Sequence, residues 1–133
     1  MIVVDASVLI AFLDASDSHH QAAVERLETS VPPLIVHPIT AAEVLVAPVR
    51  QGIADQVWSD LVAIGVQIDE TPIDPLQLAK LRVETGCKIP DCCVIVAAAA
   101  RDVSVATMVM VATTAVVEPF ACFAWILGEG ANC

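Results

Sequence analysis

The sequence contains no tyrosine, and three Phe and two Trp bring its aromatic content to only 4 %. Without aromatics interleaved among cations, an extended platform on which nucleic-acid bases could stack is excluded. Cations are scarce too. Arg26, Arg50, Lys80, Arg82, Lys88 and Arg101 stand against 16 acidic residues, for a formal charge of −10. A groove that neutralises phosphates with side chains alone needs a denser cluster of cations than this. A bound divalent metal or a basic partner would change that balance. The five cysteines (Cys87, Cys92, Cys93, Cys122, Cys133) form an odd set without C-x-x-C spacing, and no cleavable signal stretch precedes them. Buried, inert thiols in a reduced cytoplasm are the expectation.

What is abundant is aliphatic. Hydrophobic residues make up 57 % of the chain, mostly Val and Ala, which suits buried parallel strands covered by Ala-rich helices. The 133 residues suffice for one domain spanning 1–133, of α/β class. Short apolar runs at Ile2 to Val4, Leu34 to Val36, "VQI" and "VSVAT" read as strands. Between them lie helices over Ala6 to Leu13 and about Ser18 to Glu28, then "ITAAEVLVAPV" with Thr40 as cap and "ADQVWSDLVAI" stopped by Gly65. "DPLQLAKLRVETG" follows, with Asp74 as cap, Pro75 at the first helical position and Gly86 as terminator, and then "PDCCVIVAAAA". Alternation of this kind predicts parallel βαβ units with right-handed crossovers, whose working site lies beyond the carboxyl ends of the strands.

Three acids fall at that edge. Asp5 ends the first strand, Glu43 lies about one turn into the helix after the second, and Asp91 opens the helix leading into the fourth. Each has an ordinary alternative: Asp5 as a helix cap, Thr40-x-x-Glu43 as a capping box, Asp91 as a carboxylate favoured by the helix dipole. Capping alone does not require three acids at one edge, and carboxylates held close repel unless a cation sits among them. Oxygen-only ligands point to Mg2+ or Mn2+ rather than zinc. Elsewhere, Asp14 and Asp17 read as caps of the second helix, His19 and His20 as solvated, and Trp58 as a core or dimer contact.

"VVDASVLIAFLD", "TAAEVLV" and "KIPDCCVIVAAAA", in this order and spacing, resemble the first three acidic motifs of PIN domains, most closely those of VapC toxins of bacterial toxin–antitoxin pairs. The resemblance covers roughly residues 1–107. It implies a three-layer α/β/α fold with a central, mainly parallel sheet of four to five strands. It further implies a metal-dependent endoribonuclease acting on cellular RNA, restrained by a small cognate antitoxin and usually homodimeric. Asp5, Glu43 and Asp91 match the family's catalytic metal-site acids, and Ser7 matches the small hydroxyl residue two places after the first. Thr107 matches the threonine ending the fourth strand, and the resemblance implies a substrate-positioning role for both Ser7 and Thr107.

After Thr107 the pattern departs from the family. A fourth acid is usual in a T-x-D arrangement, yet Val109 occupies its position, and residues 108–133 are apolar and free of cations. Asp102 precedes the fourth strand, at the wrong edge, and Glu118 lies in a segment without clear periodicity. As a membrane span the tail is poor, with Glu118 and Pro119 in its middle. An altered reading frame would produce such a tail. The alternative to an active nuclease is a catalytically impaired PIN-fold protein that retains antitoxin binding only. A phosphate-responsive receiver domain also gathers acids at strand ends, but no lysine follows Lys88 to complete it.

Overall fold

The computed structural model describes residues 1–108. Its strands are β1 (Ile2–Val4), β2 (Leu34–Val36), β3 (Val66–Ile68) and β4 (Val105–Ala106). They form one sheet in the order β3-β2-β1-β4, every neighbouring pair parallel. The helices are α1 (Ala6–Leu13), α2 (His20–Glu28), α3 (Pro38–Gln51), α4 (Ala54–Ala63), α5 (Pro75–Thr85) and α6 (Ile89–Ala99).

The period-two alternation of the strands divides the core into two layers. Ile2 and Val4 face one side with Leu34, Val36 and Val66, where Val8, Leu9, Ala23, Val44 and Leu61 of α1 to α4 pack on them. Val3, Ile35 and Val105 face the other side, against Val94, Ala97 and Ala98 of α6. Leu78 and Leu81 of α5 extend that layer over Cys87, Cys92, Cys93 and Ile95. Burying a side chain such as Leu9 or Leu61, each 1 % exposed, contributes roughly 2 kcal/mol. The expected three-layer α/β/α architecture is therefore what forms, with four strands among the described residues.

Two helix starts differ from expectation. α3 begins two residues before Thr40, because Pro38 holds a helical φ at the first position and keeps His37 extended at φ −65°, ψ 144°. His37 Nδ1 accepts the Ile39 N–H at 3.2 Å, so the histidine is the cap. Thr40 is fully buried instead, and no Thr40–Glu43 capping box exists. At α2 the N-cap is His19, not Asp14 or Asp17. Those aspartates shape the turn before it: Asp17 Oδ1 accepts the His19 N–H at 2.7 Å, and Asp14 Oδ1 accepts the Ser16 N–H at 2.9 Å.

His19 is exposed as expected, but His20 Nδ1 lies 2.8 Å from the Ala11 carbonyl and ties α2 to α1. Trp58 is half-buried against the main core. Cys87, Cys92 and Cys93 are buried free thiols, and burial pushes the thiols of Cys92 and Cys93 up. No helix among the described residues is long and apolar enough to cross a membrane. The apolar segment from residue 109 on, with Val109, Glu118, Cys122 and Cys133, lies outside the described residues.

Candidate active site

β1 leads out to β2 and β3 on one side, under α1 to α4, and the chain then returns past β1 through α5 and α6 to β4. Right-handed crossovers that reverse direction in this way put their helices on opposite faces and open a crevice at the carboxyl ends of β1 and β4. Asp5 and Thr107 follow those two strands. The Asp5 N–H extends the ladder to the Ala106 carbonyl at 2.9 Å, which fixes the aspartate at the crevice.

Asp5 stands at the N-cap of α1, yet its side chain makes no capping bond. Its Oδ2 instead receives the Ser7 hydroxyl at 2.7 Å and the Thr107 hydroxyl at 3.0 Å. Ser7 Oγ in turn accepts the Met108 N–H at 3.0 Å. The half-buried carboxylate is thus held by two hydroxyls, one from α1 and one from the far end of the described chain. That arrangement aims it rather than spending it on a helix terminus.

Asp91 sits at the third position of α6, half-buried, with Oδ2 accepting the Lys88 N–H at 3.3 Å. Glu43 is exposed on α3. Desolvation raises the Glu43 pKa, the negative charges of Asp5 and Asp91 raise it further, and Lys88 works in the opposite direction. Three acids from three separate elements therefore share one electrostatic neighbourhood. Among the described residues they do not close into a group of three or more His, Cys, Asp or Glu side chains able to hold a metal ion. Their chemistry nonetheless fits a hard divalent cation: the donors are all carboxylate oxygens, and a cation among them would offset the repulsion that Glu43 experiences.

The other two strand ends are polar as well. Asp69, after β3, has a side chain only 1 % exposed and pairs with the Arg101 guanidinium at 2.6 Å. Arg101 also donates to Thr71 Oγ1 at 2.8 Å, and Asp69 Oδ1 accepts the Thr71 N–H at 2.8 Å. Burial pushes the Asp69 carboxyl up, but the bonds from Thr71 and the Arg101 charge outweigh it, and the net shift is downward. His37, after β2, is 3 % exposed, and burial lowers its pKa more than Asp69 raises it. Its Nε2 has no hydrogen-bond partner among the described residues.

Of the residues picked out from the sequence, Ser7 and Thr107 join Asp5 directly, whereas Glu43 and Asp91 are linked to it only through their charges. Asp102 lies in an exposed turn between α6 and β4 with φ 51°, away from the crevice. Three residues escape sequence reasoning: His37, Asp69 and Lys88. His37 and Asp69 share with Asp5 and Thr107 the position immediately after a strand, a signal the sequence did carry. Lys88 precedes Asp91 by three residues at a helix start, which places a cation beside an acid.

The fold is similar to solved structures of toxins. A toxin–antitoxin complex from Klebsiella pneumoniae matches with a TM-score of 0.69 and 22 % identity, over 80 % of this chain and 85 % of that one. VapC20 of Mycobacterium tuberculosis, a sarcin-ricin loop cleaving toxin, matches with a TM-score of 0.66 and 16 % identity, over 78 % of this chain and 85 % of that one. At such identities the likeness is one of fold. No curated protein matches the sequence. The family model of the PIN domain matches residues 2–108, which takes in β1 to β4 and all three acids, and the chain belongs to the PIN domain family.

Proposed function

We propose that the protein is a VapC-type endoribonuclease toxin that cleaves cellular RNA with the help of Mg2+ or Mn2+ and is restrained by a cognate antitoxin. The observation that carries this reading is that Asp5, Glu43 and Asp91, on different elements, act on one another: desolvation raises the Glu43 pKa, and the charges of Asp5 and Asp91 raise it further. Asp5, Glu43 and Asp91 would hold the ion. When bound, the ion supplies an activated water for in-line attack on phosphorus and offsets charge in the transition state.

The rest falls to the chain. Ser7 and Thr107 orient the Asp5 carboxylate by donating to one of its oxygens, so the other remains available to a ligand. Asp91 is steadied by the Lys88 N–H at the start of α6. The acidity of the surface suits a basic antitoxin segment, and the toxin complex among the fold's neighbours supports such a partner. Homodimerisation and a cytoplasmic setting belong to the same proposal.

The substitution of Val109 at the usual place of a fourth acid favours a second reading, an impaired PIN-fold protein that binds antitoxin without cutting RNA. One experiment separates the two. Purified protein is incubated with total RNA and Mg2+, alongside Asp5→Asn. The nuclease reading expects cleavage that EDTA and Asp5→Asn both abolish. Intact RNA with retained antitoxin binding establishes the impaired reading instead.

A further inference from the structure

We propose that Lys88 contacts a backbone phosphate of the substrate RNA adjoining the scissile one, and so sets substrate affinity at the acidic crevice. The inference rests on the nuclease reading and names what that reading lacks, a cation facing the RNA. An acidic crevice repels RNA, and an ion held by the carboxylates answers only the phosphate it touches.

The other cations are placed or occupied elsewhere. Arg101 is paired with Asp69, and Arg82 Nη1 donates to the carbonyl oxygens of Gly86 and Cys87. Arg26 and Arg50 stand in the last turns of α2 and α3. There each guanidinium sits beside the carbonyl end of its own helix, a placement the helix dipole favours. Lys80 is on α5, outside the crevice-facing start of α6.

Lys88 differs in being exposed, in making no ion pair among the described residues, and in standing at the start of α6 with its backbone N–H on Asp91 Oδ2 at 3.3 Å. Its backbone is firmly held. Gly86 turns the chain out of α5 at φ 72°, and Arg82 fastens the Gly86 and Cys87 carbonyls. The Cys87 N–H donates to Thr85 Oγ1 at 3.2 Å, and the Lys88 N–H donates to Asp91 Oδ2. A braced backbone carrying an ammonium that makes no ion pair among the described residues, at the start of α6 beside Asp91, presents a positive charge where an incoming polyanion would lie.

The test uses the full chain, free of antitoxin, with a fluorescein-labelled single-stranded oligoribonucleotide. Cleavage and, separately, binding by anisotropy are followed across a salt series for wild type, Lys88→Ala and Lys88→Arg. Lys88→Ala should raise KM and Kd roughly tenfold with little change in kcat. It should also flatten the dependence of log K on log salt by about 0.7, the value for one phosphate of a single strand. Lys88→Arg should restore both. Unchanged KM and slope in Lys88→Ala overturn the proposal. So does a fall in kcat with altered Mg2+ affinity, which would mean action through Glu43, or a loss confined to antitoxin binding. Lys88-dependent binding without cleavage supports the lysine while refuting the nuclease reading, and cleavage with a Lys88-independent slope does the reverse. Neither binding nor cleavage by the wild type overturns both.

Discussion

Thr107 Oγ1 donates to Asp5 Oδ2 at 3.0 Å across 102 positions of sequence, joining the ends of β1 and β4. The bond can form only when β1 and β4 are paired in register, with Val4 opposite Ala106. Proper assembly of the sheet and aim of the carboxylate are therefore one event. Thr107→Val keeps the shape and removes the donor. Stability should fall by about 1 kcal/mol in denaturant titrations, and RNA cleavage at saturating Mg2+ should fall about tenfold or more, with Thr107→Ser recovering most of both. Equal activity in Thr107→Val would show that Ser7 alone aims Asp5.

Glu43 carries the cost of the cluster. Desolvation raises its pKa, and the charges of Asp5 and Asp91 raise it further, so without a cation its ionised form is disfavoured. Glu43→Gln should leave the metal-free protein as stable as wild type or slightly more so, by a few tenths of a kcal/mol. Adding Mg2+ should raise the Tm of wild type by mass action on the folded state, and much less that of Glu43→Gln. Thermal melts with EDTA and with increasing Mg2+ check both halves. An identical Mg2+ response in the two proteins would remove Glu43 from the ligand set.

Much of this was readable in the sequence where local chemistry and global packing agree. The cap of α5 formed as expected because Asp74, Pro75 and Gly86 all favour the same boundaries: Asp74 Oδ1 accepts the Leu76 N–H at 2.9 Å, and Gly86 adopts φ 72°. The place of Asp5 and Thr107 at one edge was legible because parallel strands send all their carboxyl ends to the same side. The start of α3 was not, since Pro38 and Thr40 offer competing boundaries and the proline, with His37 before it, prevails. The Asp69–Arg101 pair has no local signature at all: it depends on α6 packing so that its end meets the loop after β3.

That pair makes a sharp stability prediction. The Asp69 side chain is 1 % exposed and that of Arg101 22 %, so removing the arginine strands a charge that water cannot reach. Arg101→Ala should cost about 3 kcal/mol. Asp69 keeps the Thr71 N–H, which softens the loss. The double variant Asp69→Asn with Arg101→Met should be less destabilised than Arg101→Ala alone, because no uncompensated charge remains. Chemical denaturation of the three proteins decides it, and a double variant as weak as the single one would mean that packing of the arginine stem, not charge, holds the loop.

His37 predicts how stability follows pH. Burial lowers its pKa below the ordinary 6.5, against the smaller opposing pull of Asp69. Its Nδ1 must stay unprotonated to accept the Ile39 N–H. The folded chain therefore keeps the ring neutral where the unfolded chain binds a proton. The stabilisation is fully present above 6.5 and is lost as pH falls through that value toward the folded pKa, with a slope of at most about 1.4 kcal/mol per pH unit for one proton. Asp69, whose pKa is also lowered, adds a second loss only in acid, below its ordinary 3.8. Asn at position 37 can still cap α3 but does not titrate. Melting curves from about pH 7 to pH 5 should slope downward for wild type and be flatter for His37→Asn. The difference between the two curves belongs to His37, since His19 and His20 are common to both. Parallel curves would mean that the ring gains its proton without disturbing the cap, and the link between α3 and pH would be broken.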